Sequence, residues 1–329
     1  MTLRRSRRAW MRDASCALAA AAVWPTAFAQ AFPSRPVTLV VPYAPGGTGD
    51  ILGRALAQEF GQAIHGATVV ENRGGAGGNL GAELVVRAQP DGHTLLFTAT
   101  SLASNPSLMK RMGFDPLKDL VAVAGPVTLQ NLVMVHHDVP VNSVRELVAY
   151  AKANPGKLSF GSSGVGTSNH LAAELFKARA GIDMLHVPYK SAGEVIPSLL
   201  SGTTQVMFDL MPSALPHVRS GKVRALAVTG AQRSPLFPEL PTVAEAGVPD
   251  YAFSAWFGVF APVRTPPALV AQLSAAFNRG MGSEAFRTRL HQLGADAQPS
   301  TPESFGAYFR GEHARWAEVI RASGISLES

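Results

Sequence analysis

Two glycine-rich turns decide the fold: Tyr43-Ala44-Pro45-Gly46-Gly47-Thr48-Gly49-Asp50 and Phe160-Gly161-Ser162-Ser163-Gly164-Val165-Gly166-Thr167. Each follows a strand-like apolar piece and precedes a helical pattern. Ile51, Leu52, Ala55, Leu56 and Phe60 share one helical face after the first turn, and Leu171, Ala172, Leu175 and Phe176 after the second. A strand, a small-residue turn and a helix start leave backbone N–H groups unpaired, and the helix dipole adds positive potential there. Each turn is therefore an anion site in waiting. Two such sites, far apart in sequence, predict two lobes gripping one anionic ligand.

Working outward, Val37–Val41 reads as a buried, parallel strand, followed by a strand at 67–70, a helix at 80–88 and a strand at 93–98. That alternation is α/β with a parallel sheet. Ligands of such sheets sit beyond the carboxyl ends of the strands, where 43–50 and 98–105 lie. Residues 121–135 are long for one strand. Gly125-Pro126 is expected to break them, and the segment reads as a crossing from one lobe to another. A second α/β set follows, with strands near 158–161, 184–188, 205–209 and 225–229. Pro197 is expected in the first turn of a short helix. Ser143-Val144-Arg145-Glu146 and Thr242-Val243-Ala244-Glu245 read as capping boxes. Residues 256–261 cross back as a strand, and helices near 266–280, 283–293 and 301–323 complete the first lobe.

The 329 residues are 47% hydrophobic and 16% charged, which is ample for more than one core. The net charge of +6 misleads. Residues 1–30 hold Arg4, Arg5, Arg7, Arg8 and Arg12 against Asp13 and so carry +4 of it, leaving +2 for the remainder. Nucleic acid is therefore not an expected partner. The same basic segment leads into the apolar run 14–24 and A-x-A-like sites at 27–29 and 29–31, an export signal expected to span 1–31. Ser6-Arg7-Arg8 also fits a twin-arginine signal. The apolar run is short for a membrane span, and the mature chain is expected to be soluble. Cys16, the only cysteine, lies in that signal. The mature chain then has no disulfide, thiolate metal site or cysteine nucleophile.

No HExxH, paired-histidine spacing, GxxxxGK or GxGxxG occurs, so neither a metal nor a cofactor is expected. Gly161-Ser162-Ser163-Gly164-Val165 narrowly misses the hydrolase elbow GxSxG, with Val165 in the last place. His170 and Asp209 could partner Ser163, but in an unusual chain order.

Several stretches together carry a family resemblance. They are Pro42-Tyr43-Ala44-Pro45-Gly46-Gly47-Thr48-Gly49-Asp50, Glu71-Asn72-Arg73-Gly74-Gly75-Ala76-Gly77-Gly78-Asn79, Asn105-Pro106-Ser107-Leu108 and Gly161-Ser162-Ser163-Gly164 with His170-Leu171. His186-Val187-Pro188-Tyr189-Lys190, Val206-Met207-Phe208-Asp209, the stretch 220–229 and Pro241-Thr242-Val243-Ala244-Glu245-Ala246-Gly247 continue in order. The chain resembles the Bug family, the extracytoplasmic solute receptors of tripartite tricarboxylate transporters. The resemblance implies an α/β, two-lobed periplasmic-binding-protein (Venus flytrap) architecture, type II-like, with lobes joined by two crossing strands. Its expected parts are 32–128 and 258–329 for the first lobe and 129–257 for the second.

By the same resemblance the protein is not an enzyme. It would capture a small organic acid in the periplasm, for membrane permease subunits or a sensor kinase, and a monomer is expected. Carried over residue by residue, the first-lobe contacts would be Ala44, Pro45, Gly46, Gly47, Thr48, Asp50, Thr98, Ser101 and Asn105. Those of the second lobe would be Ser162, Ser163, Thr167, His170, Tyr189 and Asp209. Asp50 either caps its own helix or holds a water or a ligand ammonium. Asp209 either accepts from a ligand or caps the next helix. His170 is structural or a contact, Trp256 packs or stacks on ligand, and Lys190 is the cation nearest the cleft.

Overall fold

Val37–Val41 (β1) alternates little and is rich in β-branched residues; it lies between two parallel neighbours, buried at all but one position. The structure is a computed structural model that describes residues 32–189 and 192–323. After β1 come α1 (Thr48–Ala63), β2 (Thr68–Asn72), a short 3₁₀ turn at Ala76–Gly78 and α2 (Asn79–Val86). Then follow β3 (Thr94–Ala99), α3 (Ser101–Leu108), α4 (Pro116–Asp119) and β4 (Leu120–Leu129). The middle of the chain holds β5 (Asn131–Val135), α5 (Val144–Ala153), β6 (Ser159–Ser162), α6 (Ser168–Ala180) and β7 (Leu185–Pro188). It continues with α7 (Ala192–Leu200), β8 (Val206–Leu210), α8 (Met211–Arg219) and β9 (Arg224–Val228). Last are β10 (Ala255–Pro262), α9 (Pro267–Met281), α10 (Glu284–Gln292), β11 (Ala295–Ala297) and α11 (Pro302–Ser323).

The strands form two sheets, β11-β4-β10-β3-β1-β2 and β7-β6-β8-β5-β9. In each, parallel strands meet an antiparallel set. β1 runs parallel to β2 and β3, while β10 runs against β3 and β4. β6 runs parallel to β7 and β8, while β5 runs against β8 and β9. Each sheet with its helices is one α/β lobe. In the first lobe Phe60 of α1 stacks on Phe277 of α9, with ring centroids 3.8 Å apart. In the second, Leu132, Met134, Val195, Leu199, Met207 and Met211 share a buried cluster.

Two crossings run side by side. Gln130 alone separates β4 from β5. On the return, Thr229 N–H donates to Asn131 O at 3.0 Å and Phe253 N–H donates to Thr229 O at 2.8 Å. Ala255 of β10 then pairs with Leu129. The break in 121–135 thus falls at Gln130 and not at Gly125-Pro126. There β4 continues, and shifts of register against β10 absorb its extra residues.

Two further expectations are corrected. Pro197 sits well inside α7, not in its first turn. Burial of Val195 and Leu199 on either side holds the helix through the one missing amide donor. The Thr242 box forms both reciprocal bonds, Thr242 N–H to Glu245 Oε2 (3.0 Å) and Glu245 N–H to Thr242 Oγ1 (3.1 Å), yet only a turn follows. Glu245 also meets Arg233 at 2.8 Å.

The C-terminal helix α11 closes the first lobe over Trp256. Phe305, Tyr308 and Phe309 meet that indole edge-on, with centroids 6.0 Å away. The Trp256 and Trp316 N–H groups both donate to Glu312 Oε2, at 3.1 and 3.3 Å. Trp256 therefore packs and takes no part in the cleft. The proposed signal at 1–31 lies outside the described residues. Among those described, no helix is long and apolar enough to cross a membrane.

Candidate functional site

A cavity of about 740 Å³ lies between the two sheets at the carboxyl ends of β1, β3, β6 and β8. Such a volume is within the range of small-molecule sites. Helix starts surround it. α1 contributes Thr48 and Gly49, α3 contributes Ser101, α6 contributes Ser168 and Asn169, and α8 contributes Ser213. None of these four helices has a side-chain cap on its first N–H groups. Elsewhere Asp115, Ser143 and Ser283 do cap theirs. The uncapped amides and the dipoles behind them favour an anion in the cavity, least so at α8, where Met211 N–H already donates to Gln130 O at 3.2 Å and Pro212 has no N–H. Among the described residues no Lys, Arg or His lines it, and Asp209 is its one carboxylate.

The first turn supplies Ala44, Pro45, Gly47 and Thr48 to the wall. Gly46 is not in it. With φ +82, it turns its N–H back onto Asp50 Oδ2 at 3.0 Å. Asp50 is absent from the wall for the same reason, and its other oxygen meets Arg54 at 2.9 Å. Burial alone would raise the Asp50 pKa, but the bonds from Arg54 and Gly46 hold it below the usual value. Asp50 thus fastens the turn.

Tyr43 presents its ring to the cavity and turns its hydroxyl inward. That oxygen accepts Ala99 N–H at 3.1 Å and lies 2.8 Å from Ser101 Oγ and 3.3 Å from Thr98 Oγ1. Ser101 lines the cavity; Thr98 only supports Tyr43. Burial raises the tyrosine pKa. Asn105 lies behind the wall, where its Nδ2 donates to Gly77 O (3.2 Å) and Asn79 Oδ1 (2.8 Å) and braces the glycine loop.

From the second lobe Ser163, Thr167, Tyr189 and Asp209 reach the wall. Ser162 does not. Its hydroxyl lies 2.6 Å from His186 Nε2 and accepts Gly164 N–H at 3.2 Å. His170 stands behind the turn, where Nδ1 accepts Gly166 N–H at 3.2 Å and the ring packs on His186, 4.3 Å between centroids. Burial lowers the His170 pKa to about 3 and that of His186 to about 4. The polar contacts of His170 and Asp209 thus lie elsewhere than Ser163, and no hydrolase triad assembles. Lys190 lies outside the described residues.

Asp209 is 2% exposed. Asn169 Nδ2 donates to its Oδ1 at 3.0 Å and Ser213 Oγ to its Oδ2 at 2.6 Å. Burial raises its pKa to about 6 against the pull of these bonds. Wall residues that escaped the predicted contact set include Asn169, Ser213, Phe257 and Met109. Ser213 stands four residues beyond Asp209 at a helix start, a spacing that could have marked it. Phe257 and Met109 had no local signal. Among the described residues no group of three or more His, Cys, Asp or Glu could hold a metal.

Comparisons with known proteins bear on this cavity. The family model described as "Tripartite tricarboxylate transporter family receptor" matches residues 52–325. BugT of Bordetella pertussis (strain Tohama I) is 35% identical over 302 residues, covering 91% of this chain and 93% of BugT. A solved R. palustris protein with adipate superposes with a TM-score of 0.87 at 35% identity, covering 90% of this chain and 99% of that one. The periplasmic binding protein BugD gives 0.86 at 34%, with the same coverage.

Proposed function

We propose, from the premise that this chain belongs to the tripartite tricarboxylate transporter receptor family, that its interlobe cavity seats the carboxylate of a small organic acid on uncapped helix starts. The family is one of non-catalytic periplasmic receptors for small carboxylates, and this member is such a receptor. Ala44, Pro45, Gly47, Thr48 and Ser101 would contact the ligand from the first lobe, and Ser163, Thr167 and Tyr189 from the second. Gly46, Asp50, Thr98, Asn105, Ser162 and His170 would brace those walls from behind. The lobes would divide as 32–128 with 258–329 against 129–257, closing about the paired crossings by a hinge. The ligand would pass to membrane permease subunits, after export of a monomer directed by residues 1–31.

One observation carries this reading: four helix N-termini without side-chain caps open into one cavity that no described cation lines. The relative with adipate supports a carboxylate as the anion. A thermal-shift screen of residues 32–329 against organic acids tests it. A one-site ligand at 100 times its dissociation constant adds about 2.7 kcal/mol, on the order of 5 °C for a chain this long. Selective shifts with carboxylates are expected. Silence from every acid, repeated after unfolding and refolding to strip any carried ligand, would sink it.

A further inference from the structure

One chain of hydrogen bonds crosses between the lobes. Thr48 Oγ1, at the start of α1, lies 3.0 Å from Ser213 Oγ in α8. Ser213 lies 2.6 Å from Asp209 Oδ2 and 3.0 Å from Leu210 O, both acceptors of its own lobe. Its proton is therefore committed there, and Thr48 must be the donor across the cleft. Asn169 of α6 holds the second oxygen of Asp209. All four residues are buried, Thr48 at 5%, Ser213 at 7%, Asn169 at 4% and Asp209 at 2% exposure. A second bond joins the lobes nearby, Ser104 Oγ to Gly166 O at 3.2 Å.

Two helix starts, those of α1 and α8, thus face each other, and their dipoles repel. Asp209 stands beside them as a fixed counter-anion. Both of its oxygens already accept protein donors, and a ligand carboxylate brought against it would be repelled. We propose that Asp209 is a positioning residue for lobe closure: it sets the Ser213 hydroxyl as the acceptor on which Thr48 closes, and it does not itself hold the ligand. The significance of this latch rests on the receptor reading; its existence does not.

The absence of cysteine after Cys16 allows a clean test. Spin labels on Leu80→Cys and Asp183→Cys, exposed positions on the first and second lobes, report interlobe distances in the 32–329 chain with no ligand added. Thr48→Val and Ser213→Ala should each raise the open-to-closed ratio about fivefold, as loss of one hydrogen bond predicts. Asp209→Ala leaves Leu210 O as an acceptor for Ser213 and should raise the ratio less, through loss of the fixed hydroxyl orientation. Thr48→Ser and Ser213→Thr should keep the parent distribution. Asp209→Asn should also keep it, because its amide can donate to Ser213, which then donates to Thr48. The Thr48→Val/Ser213→Ala double variant should open no further than either single one. Unchanged distances in Thr48→Val and Ser213→Ala, or strictly additive ones, overturn the latch, and an unchanged distribution in Asp209→Ala overturns the positioning role of Asp209. Adipate-induced stabilisation of the parent reads the receptor function separately, so either idea can fail alone.

Discussion

His186 Nε2 lies 2.6 Å from the Ser162 hydroxyl oxygen, directly behind the turn that lines the cavity. Next to it, His170 accepts the Gly166 amide through Nδ1, a bond that requires that nitrogen to be unprotonated. The two neutral rings thus hold the second turn in shape from outside the cavity.

That arrangement makes stability depend on acidity. Both histidines have folded pKa values, about 3 and about 4, below the free value of 6.5. Their neutral forms favour folding fully above pH 6.5, and the contribution is lost as the unfolded chain takes up protons below it. Asp209 has the opposite sign. Its folded pKa of about 6 exceeds the ordinary 3.8, so its burial penalty grows as pH rises between those values and fades on acidification. Asp209→Asn removes that offset. Its melting temperature should fall more steeply than the parent's between pH 6.5 and 4, by scanning calorimetry; parallel curves would refute the assignment.

Glu312 satisfies two buried indole N–H groups with one oxygen, Oε2. Glu312→Ala strands both donors, and each unsatisfied group costs about 1–3 kcal/mol. Glu312→Gln keeps an accepting oxygen and should lose less than half as much. Urea unfolding followed by tryptophan emission distinguishes the two. Equal losses would mean that the carboxylate's charge, and not its acceptor, is what α11 needs.

Gly77 has φ +62, and a Cβ there would stand 2.5 Å from the Val165 carbonyl oxygen of the opposite lobe. Gly77→Ala should cost about 1 kcal/mol of backbone strain in the first lobe. Its larger effect should be on closure, with stabilisation by any carboxylate that shifts the parent lost while the ligand-free fold remains cooperative. Circular dichroism melts with and without such an acid check this. A variant stabilised as strongly as the parent would show that the lobes close without this approach.

Tyr43→Phe removes the acceptor of the Ala99 amide, leaving a buried N–H in β3 unpaired. A loss of about 1–3 kcal/mol is expected. Because the ring stays in the wall, any change in ligand affinity should come through Ser101, which loses its 2.8 Å partner. Denaturant midpoints and a binding isotherm, taken together, separate the two effects.

The strand–turn–helix units were legible because their signals are local. An apolar run, a glycine turn and a 3.6-residue period all lie within twenty residues of one another, and β1 through α1 follows them. The direction of each side chain was not. Asp50 reads either as a helix cap or as a holder of water or a ligand ammonium until its bonds to Gly46 and Arg54 are seen. Thr98 and Asn105 sit among wall residues yet act on Tyr43 and the glycine loop. Ser213 enters the wall because α8 meets α1, an encounter between segments 165 positions apart. The break at Gln130 was hidden as well, since nothing in the run 121–135 says that β10 can absorb a register shift at Gly125.

The cavity's positive potential comes from peptide units at helix starts, and that has an evolutionary corollary. A codon change can replace a side chain but, unless it introduces proline, cannot delete a main-chain amide. The grip on an anion is inherited with the fold, while Tyr43, Met109, Leu210 and Phe257 in the wall are open to revision. Lineages sharing this scaffold can therefore exchange cargo without first losing the means to hold any.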